Sequence, residues 1–282
     1  MNSATLIKDI EEKLIVLSEA TEEAKSSQEI LDYLAFTSKF HNYSFYNVLS
    51  IYFYCPHASH VCGYVAWGKQ FGRYVKKGEK GIPILAPCTK KVKPADNVAI
   101  TTDTTDPKQD TVHKVVGFRV VYVFDISQTD GKPIQEAPIT SKGDDKGLLP
   151  ILEQVTANYN IELYYKELTG SHHGTSYGGR IEVDTRLDAG GKVSVLIHEL
   201  AHELLHRGED RKTLSSRQKE TEAEATAYIV CSHFGLGTAA ANYLALWDIP
   251  KEEIVASFQR IHKVAAGLIK DIETLATPQS AV

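Results

Sequence analysis

His198-Glu199-Leu200-Ala201-His202 sits inside a largely apolar stretch that begins at Val193 and ends at Leu205. Apolar residues at helical spacing around the motif predict a helix. On that helix, histidines four residues apart lie one above the other, so both imidazoles can reach one cation. Tetrahedral zinc takes such nitrogen ligands and, in catalytic sites, keeps a position open for water. Glu199 is placed to hydrogen-bond that water and take its proton. His206 extends the same face, but it lies about 12 Å along the helix from His198, too far to share the ion. It is expected to be a packing or surface residue.

A third ligand has to come from elsewhere. The polar residues 207–218 are followed by Glu220-Thr221-Glu222-Ala223-Glu224-Ala225-Thr226-Ala227, whose small residues permit close approach to the first helix. Glu220 and Glu224 share a helix face, whereas Glu222 points nearly the opposite way. A ligand needs a hydrogen-bonding group behind it. Glu220 is therefore the expected third ligand, with Glu224 orienting His198 or His202, and Glu222 is the alternative. The expected stoichiometry is one zinc per chain. Tyr177 and Tyr228 are candidates for oxyanion support, and the strand over 180–184 is expected to pair with an extended substrate along an exposed sheet edge.

The chain has 282 residues, 43% hydrophobic and 24% charged, with a net charge of -5, enough for one large domain or two ordinary ones. There is no apolar run of membrane-spanning length, and the first residues lack a basic start followed by an apolar stretch, so no membrane partner and a cytoplasmic location are expected. Cys55, Cys62, Cys88 and Cys231 have no CxxC spacing and suit reduced thiols. Amphipathic helices are expected over 5–37 and a further helix over 47–54, ending before Pro56. Strands are expected at 61–65, 74–76, 82–85 and 118–124, with a polar insertion at 93–114. Residues 130–147, rich in glycine and proline, form the expected linker. The stripe Ile254, Phe258, Ile261, Ala265, Leu268, Ile272 and Leu275 is expected to be core. The fold class is α+β.

The N-terminal part reverses the overall sign of charge. Lys69, Arg73, Lys76, Lys77, Lys80, Lys90, Lys91 and Lys93 face a lone acid, Glu79, and are interleaved with Trp67, Phe71 and Tyr74. Cations beside aromatic faces suit single-stranded nucleic acid, with charges following phosphates and rings stacking on unpaired bases. The same letters also describe an exposed β-turn above an aromatic core.

Tyr43-Ser-Phe-Tyr-Asn47, Pro56-His-Ala-Ser-His-Val-Cys-Gly63, Trp67, Gly72-Arg-Tyr-Val-Lys-Lys-Gly-Glu-Lys-Gly-Ile82 and Val123-Phe-Asp-Ile-Ser-Gln-Thr129 occur in order. Together they resemble the N-terminal domain of the ArdC antirestriction family. That resemblance implies a single-stranded-DNA-binding domain over 1–129, followed after the linker by a zincin-like metallopeptidase domain over 148–282. The second domain is expected to be mainly helical with a small antiparallel sheet. Tyr46, Asn47, Trp67, Arg73, Lys76, Lys77 and Lys80 are the candidate DNA contacts. The family often shows Trp-Thr after its HExxH, where this chain has Glu203-Leu204. His198 to His206 with the following Glu-rich run is more similar to the ImmA/IrrE-type peptidases, and residue 208 is Gly, so the metzincin third histidine is missing.

The implied partners are single-stranded DNA and a protein or peptide substrate, in an antirestriction-like role on a mobile genetic element. The alternative is a DNA-protecting protein with a structural or catalytically silent zinc site. In such a site Glu199 would have no task. A nuclease is the poorer reading, because phosphodiester chemistry usually wants carboxylate-rich magnesium or two-metal sites.

Overall fold

The computed structural model describes residues 1–18, 23–92, 112–133, 145–169, 173–206, 213–236 and 253–277. Most of the polar insertion (93–111) and the middle of the expected linker (134–144) lie outside them. The fold is α+β. Among the described residues, no helix is long and apolar enough to cross a membrane.

The chain divides into two compact units, one made of residues 1–12 and 49–134, the other of residues 13–48 and 135–282. The break at 134/135 falls within the linker read from the sequence. Residues 13–48, placed there with the N-terminal domain, instead pack with the second unit. The reason is the apolar stripe of α2 (Glu23–Lys39), where Ile30, Tyr33 and Leu34 are buried. Tyr33 meets Phe258 of the last helix with ring centroids 5.6 Å apart. Periodicity reveals such a stripe but not which distant element will cover it.

The first unit holds most of α1 (Ser3–Ser18) and α3 (Phe45–Tyr54). An antiparallel sheet follows, in the order β1 (Val61–Gly63), β4 (Val112–Asp125), β3 (Ile82–Val92). A second pair joins β2 (Arg73–Val75) to β5 (Thr129–Gly131). The strand expected over 61–65 stops at Gly63, where α4 (Tyr64–Phe71) begins. That helix drives Trp67 into the core, 1% exposed, with its indole N–H donating to the Phe124 carbonyl at 2.9 Å.

Asp125 is the hub of this unit. Its carboxylate is buried and accepts the amides of Ser59 (2.8 Å), His60 (3.1 Å) and Ser127 (2.9 Å). Gln128 accepts the Asp125 amide at 3.0 Å and donates to the Lys80 carbonyl at 2.9 Å, tying the lysine-rich turn to the same point.

The second unit carries α5 (Leu148–Asn158), β6 (Glu162–Lys166), β7 (Gly174–Ser176), β8 (Arg180–Asp184), α6 (Ala189–Leu205), α7 (Ser216–His233) and α8 (Ile254–Ala276). Its small sheet, expected to be antiparallel, is mixed: β6 runs parallel to β8 and β7 antiparallel to it. Asp188 caps α6 through the Gly191 amide at 2.7 Å, and Ser215 caps α7 through the Gln218 amide at 3.1 Å. Leu196, Ile197, Leu200 and Ala201 of α6 are fully buried, as are Ala223 and Ala225 of α7. The α8 stripe is core from Ile254 to Ile272, while Leu275 is 40% exposed.

Glu203 fastens the β7–β8 turn to α6. It is 1% exposed and accepts the Ser176 hydroxyl and the Gly178 and Gly179 amides, each at 2.6 Å. Gly178 (φ 82) and Gly179 (φ 110) adopt backbone that side-chain-bearing residues avoid, which turns both amides toward the carboxylate.

Two stability predictions follow from these buried carboxylates. Burial alone would raise the Asp125 pKa, but the hydrogen bonds from Ser127, Ser59 and His60 outweigh it and hold the carboxyl below its ordinary range. A depressed pKa adds stability that is complete above the unfolded-state value and fades as pH falls through the folded one. Asp125→Asn is expected to cost roughly 2 kcal/mol near neutral pH. Thermal melts should show its gap from wild type closing below about pH 4. Glu203→Ala removes three charge-assisted hydrogen bonds to a buried carboxylate and is expected to cost roughly 2–3 kcal/mol, read from denaturant midpoints.

Candidate metal centre and nucleic-acid face

Helix α6 sets His198 and His202 one turn apart with their Nε2 atoms 3.1 Å from each other. Helix α7 brings Glu220 between them, its Oε2 3.5 Å from His198 Nε2 and its Oε1 3.4 Å from His202 Nε2. These donor atoms all lie within 4.8 Å of one another. Zinc–nitrogen bonds of about 2.0–2.1 Å at tetrahedral angles place neighbouring donors about 3.3 Å apart. The observed spacings fit that cage, and two imidazoles with one carboxylate form a donor set zinc accepts.

The groups behind the donors are equally ordered. Glu224 Oε2 lies 2.9 Å from His198 Nδ1. His202 Nδ1 lies 3.2 Å from His206 Nδ1, and His206 Nε2 lies 3.2 Å from Glu222 Oε2. Glu222 is fully buried, and its other oxygen accepts from Ser257 Oγ at 2.5 Å and from the Arg260 guanidinium. The structure thus brings Glu220 to the histidine pair and points Glu222 away. His206, 1% exposed, is packed but also props His202.

Burial works to lower the His198 pKa, yet hydrogen bonds to Glu220 and Glu224 win and push it up to about 10. His202, where burial dominates, is held below the ordinary histidine value. Hydrogen bonds from His198 and His202 hold the Glu220 carboxyl well below the usual carboxylate range. The pocket thus concentrates negative charge around His198, as a cation site requires.

A cleft of about 850 Å³ opens over these groups, walled by Gly174, Thr175 and Ser176 of β7 on one side and Glu199 on another. Glu199 is 7% exposed. A Cβ on Gly174 would fall 2.7 Å from Glu199 Oε1 and 2.5 Å from Val195 Cγ1, so only glycine lets β7 pass this close to the carboxylate. The expectation that β8 offers an edge to substrate is corrected: β8 is the central strand, flanked by β6 and β7. The strand at the end of the sheet beside the cleft is β7. Tyr177 and Tyr228 are not among the residues lining the cleft. The Tyr177 hydroxyl instead faces Glu182 Oε2 at 3.3 Å. Sequence reading passed over Gly174 and Glu203; the signals were a glycine-rich stretch before β8 and an acid within an apolar helical run.

The candidate DNA contacts separate. Tyr46 and Asn47 belong to the second unit, the other candidates to the first. Asn47 is 8% exposed, and the Tyr46 hydroxyl accepts from Gln259 at 3.1 Å. Trp67 is core, so its ring has no face left for a base. Arg73 is also corrected, because its guanidinium is spent on the Thr129 side chain (2.8 Å) and carbonyl (3.1 Å) and on the Gly131 and Lys132 carbonyls. Lys76, Lys77 and Lys80 are exposed on the turn. Two further rings are exposed on one face of β4: Phe118 and Tyr122 are 54% and 53% exposed, and Gly81, next to Lys80, sits against Tyr122. Tyr74 is 62% exposed.

Comparison with known proteins bears on both units. Residues 3–124 match the N-terminal domain of the anti-restriction factor ArdC, and residues 158–263 match the IrrE N-terminal-like domain of the M78 peptidase type. An uncharacterized protein of Bacillus anthracis is 31% identical over 298 aligned residues, covering 92% of this chain and 50% of that protein. The chain thus spans about half the length of this curated relative. Crystal structures of the antirestriction ArdC protein from the R388 plasmid share the fold. The metal-free form has a TM-score of 0.52 at 16% identity, covering 95% of this chain and 98% of that one. The Mn(II)-bound form has a TM-score of 0.50 at 19% identity, covering 97% and 99%. The α+β chain therefore joins a segment that matches the ArdC N-terminal domain to one that matches the IrrE-like domain of metallopeptidase type, and it shares the fold of the ArdC structures.

Proposed function

We propose that the chain is a zinc-dependent peptidase that also holds single-stranded DNA, serving an antirestriction role for a mobile genetic element. The observation that carries the peptidase reading is the convergence of His198, His202 and Glu220 beside Glu199, at a cleft walled by the terminal strand β7. His198, His202 and Glu220 would hold one zinc, with Glu224 and His206 fixing the imidazole orientations. Zinc at this position would supply a Lewis acid and bring the pKa of water near neutrality.

The chain's own residues do the rest. An extended substrate peptide lies antiparallel or parallel to β7, its backbone set against the strand rather than read by side chains. Gly174 keeps that strand close enough for Glu199 to reach the cleft. Glu199 takes a proton from the attacking water and returns it to the leaving amine. The cytoplasm, where incoming strands and host proteins meet, is the proposed location.

For DNA, the exposed lysines at 76, 77 and 80 follow the phosphates, and Tyr122, Phe118 and Tyr74 offer ring faces to unpaired bases. The arrangement favours single strands, because bases paired in a duplex cannot reach such rings.

His202→Ala is expected to abolish zinc binding at this centre. Glu199→Gln should keep the zinc yet lower cleavage at least about 100-fold. New protein N-termini generated in a bacterial lysate provide the readout, and undiminished cleavage by Glu199→Gln would remove it as the base. For DNA, gel-shift titrations should show single strands bound in preference to duplex. Replacing Lys76, Lys77 and Lys80 together by alanine should make the slope of log affinity against log salt shallower by about 2. An unchanged slope would place the DNA surface elsewhere.

A further inference from the structure

Away from the cleft, the second unit holds another convergence of metal-binding side chains. His41 lies just beyond α2, His233 is the last residue of α7, and Glu273 lies near the end of α8. Along α7, His233 is about 20 Å from Glu220, so the two groupings are separate.

The Ser38 carbonyl orients both imidazoles. It lies 3.0 Å from His233 Nδ1 and 3.3 Å from His41 Nδ1. With each Nδ1–H donating there, each Nε2 carries a lone pair. This is the arrangement in which a ligating histidine is fixed by a carbonyl behind it. Both Nε2 atoms turn to the Glu273 carboxylate, His233 at 3.0 Å from Oε1 and His41 at 3.8 Å from Oε2. The rings meet edge to face with centroids 4.5 Å apart. The donor atoms of all three residues lie within 4.8 Å of one another.

An ordinary ion pair between His233 and Glu273 would not complete this cluster. His41 is 7% exposed, and its Nε2 is buried without a hydrogen-bond partner. Leaving a buried polar atom unmet is costly. Glu273 has a side chain 47% exposed, so solvent can reach the cluster and complete a tetrahedron.

We propose that His41, His233 and Glu273 form a second zinc site that clips the end of α2 to the C-terminal ends of α7 and α8. Two imidazole nitrogens and a carboxylate are donors zinc accepts, and at this position the ion acts on stability rather than on the cleft. No substrate cleft is needed for that role.

The test strips the full-length chain of metal and titrates it with zinc alone against a chromophoric chelator. Wild type should take up two zinc ions per chain, His202→Ala one, and His202→Ala combined with Glu273→Gln none. Glu273→Gln is chosen because it keeps the shape of a half-exposed side chain, and far-UV circular dichroism verifies the fold. In the His202→Ala background, zinc at a hundredfold excess over its Kd should raise Tm by about 5 °C, and Glu273→Gln should erase that rise. Failure of the cleft centre reads differently: wild type would hold one zinc that survives His202→Ala and is lost with Glu273→Gln, which still supports the clip. A His202→Ala protein that binds no zinc, or one whose zinc is untouched by Glu273→Gln, overturns it.

Discussion

Everything at the cleft depends on how closely α6 and α7 approach. Ala201 and Leu205 pack directly on Ala223, and the small side chains let the helix axes come near enough for Glu220 to bridge two imidazoles. A larger residue at 201 or 223 would push the carboxylate beyond bonding reach while leaving every donor in the sequence. The same approach buries Glu222 on the far side of α7, where Arg260, Ser257 and His206 share its charge. One helix therefore sends a glutamate to each side, one toward solvent and the histidine pair, one into a satisfied polar core. The histidine pair is braced from both directions, by Glu224 and by the chain His202–His206–Glu222.

The sheet supplies the other half of the geometry. Its terminal strand runs against the helix that carries Glu199, and it does so only because residue 174 has no side chain. Glu203, one turn further along α6, holds the following turn by its amides. Two acids on the same helix thus have divided tasks: the nearer one faces the cleft and the farther one fixes the wall of that cleft.

Local pattern carried the placing of the candidate metal ligands a long way, because helix periodicity is a short-range property. His198, His202, Glu220 and Glu224 could be placed on their faces from spacing alone, and the α8 stripe could be recognised as core. What failed depended on distant partners. Trp67 and Arg73 look like nucleic-acid contacts beside a lysine-rich turn, but one is claimed by the Phe124 carbonyl and the other by Thr129, far along the chain. The central position of β8 depends on strand order, and the covering of α2 depends on α8. The exposed rings of Phe118 and Tyr122 lie in a strand that reads as ordinary β-sheet. His41, His233 and Glu273 share no motif, since the turn after α2 and two separate helices bring them together.

The allocation of residues 13–48 bears on how such a protein can be inherited. The path of the chain switches units at 12/13, 48/49 and 134/135, and α1 and α3 are continuous through the first two of these points. A recombination event at any one junction would therefore carry away a helix that the remaining half needs to cover its apolar surface. The two units are bound to travel as a single genetic package, and neither can be acquired or lost by simple shuffling of modules.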